Sequence, residues 1–359
     1  MRTFAAFRMI EQVQFMRRCL ELALRGAGWV APNPLVGAVL VHGNRIIGEG
    51  WHQRFGGPHA EVNCLQSVAA ADRQLLPEST LYVSLEPCAH YGKTPPCSVL
   101  IRQSGIRRVV VGCTDPFAAV NGKGIAELQA AGVAVQLSRI EQECRQLNRR
   151  FFTFHEKKRP YIMLKWAQTA DGFMGTGTRE RLLISNAVTN LLVHRWRSEE
   201  AALLVGSQTA LLDDPLLTNR SGIGLQPVRL VLDRQLQLPL QLRLFNSNAT
   251  TVVLNMLQHQ PVGQPAYHQL DTDIPVPQAI AAALYQLQLQ SVVVEGGAGL
   301  LRLFLKQGLF DEIRIITNEA LQAGAGIKAP PLPEQLVCAS KQQIGTDAIS
   351  IWRNTALSF

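Results

Sequence analysis

The sequence predicts an α/β protein of two domains, and three observations carry that expectation. Short apolar strands alternate with helical segments along the whole chain. The 359 residues are long for one domain and comfortable for two. A basic run closed by proline, Lys157-Lys158-Arg159-Pro160, separates two such α/β series.

In the first series, residues 12–25 alternate polar and apolar side chains at helical spacing, and Gly26 and Gly28 follow as stops. Residues 36–41 and 45–48 read as a hairpin across His42-Gly43-Asn44. A helix over 60–71, a buried strand over 80–85, a strand over 108–112, a helix over 125–131 and a strand over 133–135 come next. Residues 141–149 read as a charged helix and the basic run as a solvated linker, so the domains are expected at residues 1–150 and 160–359. The second series supplies strands at 161–165, 202–206, 228–232, 251–254 and 291–294, and an apolar helix at 300–305. Stretches 236–244 and 284–290 are rich in Leu and Gln but show no fixed period, which argues against a solenoid. Strands separated by helices pair mostly in parallel, and ligands gather at their carboxyl ends.

The most informative residues fall at such ends. His59-Ala60-Glu61 stands at the start of the 60–71 helix, and Pro87-Cys88 follows the 80–85 strand. Cys97 comes after an intervening Ala-His-Tyr-Gly-Lys-Thr-Pro-Pro. One imidazole and two thiolates make three zinc ligands; a catalytic zinc keeps a fourth position for water, whereas a structural zinc takes four protein ligands. Glu61 is the natural acid/base partner for that water. His-x-Glu followed by Pro-Cys is the arrangement of zinc nucleobase deaminases, in which the glutamate moves protons while a ring amino group leaves as ammonia. A purely structural zinc is the alternative, with His52 or His90 as fourth ligand. The preferred reading puts both in the substrate pocket, where His90 and Lys93 suit a phosphate. The usual form ends Pro-Cys-x-x-Cys, so the longer stretch here is where substrate identity would be written.

The second half is less telling by itself. Glu295-Gly296-Gly297-Ala298-Gly299 follows an apolar strand and precedes an apolar helix, a place where backbone N–H groups can approach a pyrophosphate. It lacks the full Gly-x-Gly-x-x-Gly dinucleotide fingerprint, and a strand–turn–helix without ligand fits equally. Gly206-Ser207-Gln208-Thr209 is a second phosphate-sized turn, and Asp213-Asp214-Pro215 reads as a helix stop.

Bulk properties narrow the partners. The net charge is +8, but Lys and Arg are scattered, which fits an anionic small substrate better than a nucleic acid. No stretch approaches a membrane helix in length, and no secretory signal opens the chain. Seven cysteines, an odd number, then point to a reduced cytoplasm where clustered Cys means metal or catalysis.

Three segments make the pattern specific: Asn33-Pro34-Leu35-Val36-Gly37-Ala38, Gly57-Pro58-His59-Ala60-Glu61-Val62, and the run from Glu86-Pro87-Cys88 to Gly92-Lys93-Thr94-Pro95-Pro96-Cys97. They closely resemble the bifunctional deaminase–reductase family of riboflavin biosynthesis. Lys165-Trp166-Ala167-Gln168-Thr169-Ala170-Asp171-Gly172, His194-Arg195-Trp196-Arg197, Val205-Gly206-Ser207-Gln208-Thr209 and Val294-Glu295-Gly296-Gly297 continue the likeness in order. The resemblance implies a cytidine-deaminase-like α/β/α domain followed by a dihydrofolate-reductase-like α/β domain. It implies Zn2+ and NADPH as cofactors, a phosphoribosylaminopyrimidine as substrate, and a homo-oligomer, dimer or higher.

The same resemblance implies roles residue by residue. Glu61 is catalytic and His59, Cys88 and Cys97 bind the metal. Asn33, His52, His90, Lys93 and Asp115 contact substrate in the deaminase. Lys165, Arg181, Arg197, Leu217, Arg220 and Glu295 contact substrate in the reductase, with Arg197 and Arg220 as the cations for its phosphate. Ala167, Leu183, Ser185, Thr209, Asp213, Gly297, Ala298, Gly299, Leu300, Leu301, Arg302 and Leu303 hold the cofactor. Two departures stand out. Phe117 occupies a position where the family often has Asn, and Leu183 and Ser185 replace a Trp and a Thr.

Overall fold

The computed structural model describes residues 2–89, 95–178, 180 and 182–357, with the backbone alone over residues 2–12. His90, Lys93 and Arg181 therefore lie outside the described residues. The chain divides into two compact units, Met1–Lys157 and Lys158–Phe359.

The first unit runs α1 (Arg2–Leu24), β1 (Gly37–His42), β2 (Arg45–Trp51), α2 (Ala60–Gln66), β3 (Thr80–Val83), α3 (Cys97–Gln103), β4 (Arg108–Val111), α4 (Lys123–Ala130), β5 (Ala134–Leu137), α5 (Glu141–Leu147) and α6 (Arg149–Lys157). Its sheet has the order β2-β1-β3-β4-β5. β1 is antiparallel to β2 and β3, while β3, β4 and β5 are parallel, so β3 and β4 deliver their carboxyl ends side by side. One face packs Ala60 and Cys64 of α2, Ile101 of α3 and Leu128 of α4 against Ala38, Leu40, Leu81, Val83, Val109 and Val111.

Three elements here differ from expectation. α1 starts at Arg2 rather than near residue 12; no Gly or Pro interrupts that stretch. α2 stops at Gln66, because Ser67 Oγ donates to the Cys64 carbonyl at 2.7 Å and accepts the Glu49 N–H at 2.8 Å, and a 3-10 helix Ala70–Glu78 follows. Most of the stretch left between the two expected domains, residues 151–159, is α6, which ends at Lys157. Phe151, Phe152 and Phe154 are buried in it, and Arg145 lies over the Phe152 ring at 4.2 Å.

The second unit runs β6 (Tyr161–Thr169), β7 (Phe173–Gly175), α7 (Ala187–Glu199), β8 (Ala202–Gly206), α8 (Ser207–Asp213), β9 (Val228–Leu232), β10 (Thr251–Asn255), β11 (Ala266–Gln269), α9 (Val276–Gln286), β12 (Ser291–Gly296), α10 (Ala298–Lys306), β13 (Glu312–Asn318), β14 (Ile327–Lys328), β15 (Leu336–Ile344) and β16 (Asp347–Asn354). Nine strands form one sheet in the order β11-β10-β9-β8-β12-β6-β13-β16-β15. The first seven are mutually parallel and the β15–β16 hairpin closes the edge antiparallel. All five strands expected from the sequence lie in the parallel part. β15 was not legible because nearly all of it is exposed, so no apolar alternation marks it.

Candidate active sites

In the first unit, chain geometry gathers the expected metal ligands. His59 caps the start of α2, Cys97 begins α3, and Cys88 follows the end of β3. The His59 Nδ1 lies 3.6 Å from Cys88 Sγ and 3.3 Å from Cys97 Sγ, and all three ligand atoms lie within 4.8 Å of one another. Tetrahedral bonds of about 2.0 Å to nitrogen and about 2.3 Å to sulfur span about 3.5 Å between the two ligand atoms, so the donor set fits zinc. The Cys97 N–H also donates to Cys88 Sγ at 3.3 Å, favouring a thiolate. A hydrogen bond from Cys97, opposed by burial and helped by His59, brings the Cys88 thiol down to about 4. Metal binding would deprotonate both thiols.

Glu61 is on the first turn of α2, two residues beyond His59, and is 3 % exposed. Burial pushes its carboxyl above the ordinary range, while His59 opposes that rise. A carboxyl with raised proton affinity is suited to accept and return a proton.

Among the described residues, the other expected substrate contacts in this unit are His52, Asn33 and Asp115, and the His52 ring lies 5.6 Å from the His59 ring. His52 is buried, and its Nδ1 donates to the Pro58 carbonyl at 2.9 Å. That leaves Nε2 as an acceptor for Asn33 Nδ2 at 3.1 Å, and burial pulls the His52 pKa down, keeping the ring neutral. Asn33 is thus held by its amide nitrogen, with its Oδ1 left for other partners. Asp115 is buried just past β4, and burial raises its carboxyl to about 7. Its Oδ1 accepts the Phe117 N–H at 2.8 Å, and the half-exposed Phe117 ring leans on His155 at 5.2 Å.

Sequence reasoning quoted Glu86 but assigned it no role. Its buried carboxylate accepts the N–H groups of Asp115, Gly122, Gly124 and Ile125 at 2.9–3.2 Å. It ties the loop that carries Asp115 to the segment that carries Cys88.

In the second unit, Lys165 and Glu295 come from adjacent parallel strands, one position beyond the Val294–Leu164 pairing. The β12–β8 register shifts between Val294 and Gly296, so Glu295 sits at an irregularity that can re-aim a side chain. Arg197 of α7 pairs with it through Nε at 2.8 Å and Nη2 at 2.5 Å. Burial would raise the Glu295 carboxyl, but Arg197 and Lys165 outweigh it and hold it at about 2. Burial lowers the Lys165 ammonium, with Glu295 opposing. His194, one turn before Arg197, was quoted in the sequence motif but given no role. Burial, Arg197 and Arg220 bring it down to about 4, and its Nδ1 accepts the Arg220 N–H at 3.3 Å. Its (i, i+3) spacing from Arg197 on one helix was the available signal.

Arg197, expected as a cation for phosphate, donates to both carboxylate oxygens of Glu295 and to the Thr218 carbonyl at 3.3 Å. Arg220 is exposed and remains a candidate for the phosphate.

A cleft of about 250 Å3 collects part of the expected cofactor set: Thr209 with Gly297, Gly299, Leu300 and Leu303. Gly297 has φ 78, and a side chain there would sit 3.0 Å from Thr209 Oγ1, so the turn needs glycine twice over. The rest of the set faces elsewhere. Leu301 is in the hydrophobic core, Ala298 is buried, and Arg302 donates to the Lys328 carbonyl at 3.0 Å. A nine-residue helix cannot turn every side of itself to one ligand. Asp213 is exposed at the end of α8, with Asp214 at φ 39 ahead of Pro215, as a helix stop requires. Leu217 is buried in the core with Tyr161 and Met163, so only its backbone can meet a ligand. Ala167 packs beside Val193 and Trp196. Ser185 is half-buried and Leu183, expected to stand in place of an indole, is 80 % exposed.

Comparison with known proteins gives matches over both units. Residues 9–113 match the cytidine and deoxycytidylate deaminase zinc-binding region, and residues 160–347 match the RibD C-terminal domain. Riboflavin biosynthesis protein RibD of Aquifex aeolicus is 37% identical, covering 96% of this chain and 99% of its own. The Escherichia coli protein of that name is 34% identical over 83% of this chain and 85% of its own. The crystal structure of a diaminohydroxyphosphoribosylaminopyrimidine deaminase/5-amino-6-(5-phosphoribosylamino)uracil reductase from Thermotoga maritima superposes with a TM-score of 0.85 at 34% identity, covering 96% of this chain and 99% of that one. Acinetobacter baumannii RibD superposes with a TM-score of 0.86 at 31% identity, covering 97% and 99%.

Proposed function

The chain belongs to the bifunctional deaminase–reductase family of riboflavin biosynthesis, and from that premise we propose how its two sites divide the work. It is an enzyme with a zinc-binding deaminase domain followed by a reductase domain. In our reading the first unit deaminates 2,5-diamino-6-(5-phosphoribosylamino)pyrimidin-4(3H)-one by hydrolysis. The second reduces the ribosyl chain of the product to ribityl.

The observation that carries the first step is the convergence of His59, Cys88 and Cys97 beside the buried carboxyl of Glu61. Zinc, when bound, supplies a water of pKa about 7. Glu61 takes a proton from the attacking water, delivers it to the ring nitrogen and assists the departing ammonia. Asn33, held by neutral His52, offers its Oδ1 to the pyrimidine, and Asp115 offers a carboxyl that can act as donor or acceptor near neutral pH. His90 and Lys93 would hold the phosphate.

For the second step, NADPH, when bound, would supply a hydride to C1′ of the opened sugar. Lys165 and Glu295 bind sugar hydroxyls, with Arg197 orienting Glu295. Arg220 meets the phosphate. The glycine turn after β12 and Thr209 form one wall for the cofactor. Free cysteines throughout fit a reducing cytoplasm, and no helix among the described residues is long and apolar enough to cross a membrane. We infer a homo-oligomer from the family likeness.

The test is one assay on zinc-loaded protein given the diaminopyrimidine ribotide, with ammonia release and NADPH oxidation followed together. Both signals, with NADPH loss lagging ammonia, are expected. Ammonia alone would remove the reductase step from this reading.

A further inference from the structure

One edge of the nine-stranded sheet carries a pair of side chains that neither reaction uses. β11 is the edge strand, and the chain entering it folds back on it: Gln260 and Tyr267 exchange both backbone hydrogen bonds at 2.8 Å. The adjoining pair, His259 and His268, therefore stands opposite without backbone hydrogen bonds, where antiparallel side chains approach most closely. Their ring centres are 5.1 Å apart, with the planes at 75°. Buried Asn255 fixes both arms, its Nδ2 donating to the Gln258 carbonyl at 3.0 Å and to the His268 carbonyl at 3.3 Å.

The two rings line a cavity of about 400 Å3, together with Asp271 and with Ala279 and Ala283 of α9. His268 is 8 % exposed, and no ring nitrogen of either histidine has a hydrogen-bond partner among the described residues. A buried imidazole normally has such a partner. Burial, with His259 beside it, pulls the His268 pKa down, so the ring is neutral and its nitrogen lone pair is available. Neutral imidazoles suit zinc, copper and nickel. With Zn–N bonds of about 2.0–2.1 Å at the tetrahedral angle, two imidazoles sharing an ion hold their ring centres about 5 Å apart. That is the spacing of His259 and His268.

We propose that His259 and His268 bind a second divalent transition-metal ion, zinc or a like imidazole-preferring ion, with water filling its remaining positions. Among the described residues, no third carboxylate, thiol or imidazole comes within ligand distance of both rings. Asp271 has its Oδ1 on the Asp273 N–H at 2.9 Å, and its Oδ2 can hold one of those waters. Two protein donors bind less firmly than three, so this ion exchanges while the deaminase zinc stays. The ion clips the returning segment to β11 and stabilises the sheet edge when metal is present.

The test is equilibrium dialysis of the zinc-loaded full chain against free Zn2+, with bound metal counted by atomic absorption and the histidine ring signals followed by NMR. The wild type should take up a second ion, and the signals of His259 and His268 should shift together. His259→Ala, a change at an exposed residue, and His268→Gln should each lose that ion and keep the first, with ammonia release and NADPH oxidation unchanged. Cys97→Ser should still take up the ion that shifts His259 and His268. A wild type that stops at the deaminase zinc overturns the proposal, and so does a second ion retained in His259→Ala.

Discussion

The carboxylate of Glu86 accepts the Gly124 N–H at 2.9 Å, and Gly124 packs so closely on the next residue that an added methyl would sit 1.9 Å from the Pro87 carbonyl oxygen. The start of α4 is thereby clamped onto the segment that presents Cys88. Gly124→Ala must push Pro87 and Cys88 away, an overpacking cost of about 1–3 kcal/mol. Zinc content by atomic absorption should fall and ammonia release with it, while NADPH oxidation on deaminated substrate persists. Full zinc occupancy in this variant would show that the clamp does not set the ligand position.

Glu61→Gln keeps the shape of the side chain and removes its capacity to carry a proton. Ammonia release should drop on the order of 10²- to 10⁴-fold, with one zinc per chain retained. Turnover near that of the wild type would assign the proton transfer to another group.

Removal of the metal should separate the two units functionally. Chelation, or Cys97→Ser, which deletes a ligand 3.3 Å from His59 Nδ1, should stop ammonia release. NADPH oxidation with the deaminated ribotide should continue, because no metal cluster of three or more ligands appears in the second unit among the described residues.

Glu295 is an ion-paired carboxylate whose folded pKa, about 2, lies below its ordinary 4.5. A depressed carboxylate contributes stability that is complete above pH 4.5 and is lost as the pH falls from there through about 2. The stability gap between the wild type and Glu295→Gln should close over that acid window in denaturant titrations. Arg197→Met at neutral pH should be the more damaging change, about 3–5 kcal/mol, because it leaves the carboxylate buried without its partner.

His194 shifts the other way relative to its charge. Its folded pKa is about 4 against an ordinary 6.5, so the unfolded chain binds its proton first. Its contribution to stability is complete above pH 6.5 and is lost as the pH falls towards 4. The imidazole resonance should titrate near pH 4 in NMR, and a midpoint near 6.5 would mean that neither burial nor the surrounding cations act on it.

The deaminase centre was legible because its ligands sit at local landmarks. His59 and Cys97 open helices and Cys88 follows a strand, so short motifs marked both chemistry and position. The role of Glu86 was not legible, since it spends its oxygens on backbone groups up to 39 residues away, which no motif records. α6 was missed because its basic end resembles a solvated linker, while three buried phenylalanines decide its place.

The sequence by itself determined the alternation of strands and helices, the three candidate metal ligands and the glutamate beside them. Each follows from residue chemistry and short spacing. Tertiary structure alone decided that Arg197, 98 residues before Glu295, pairs with that carboxylate. It also decided that His259 and His268 face one cavity. Those outcomes depend on sheet register and on which polar atoms burial forces into partnership, and both are properties of the packed chain.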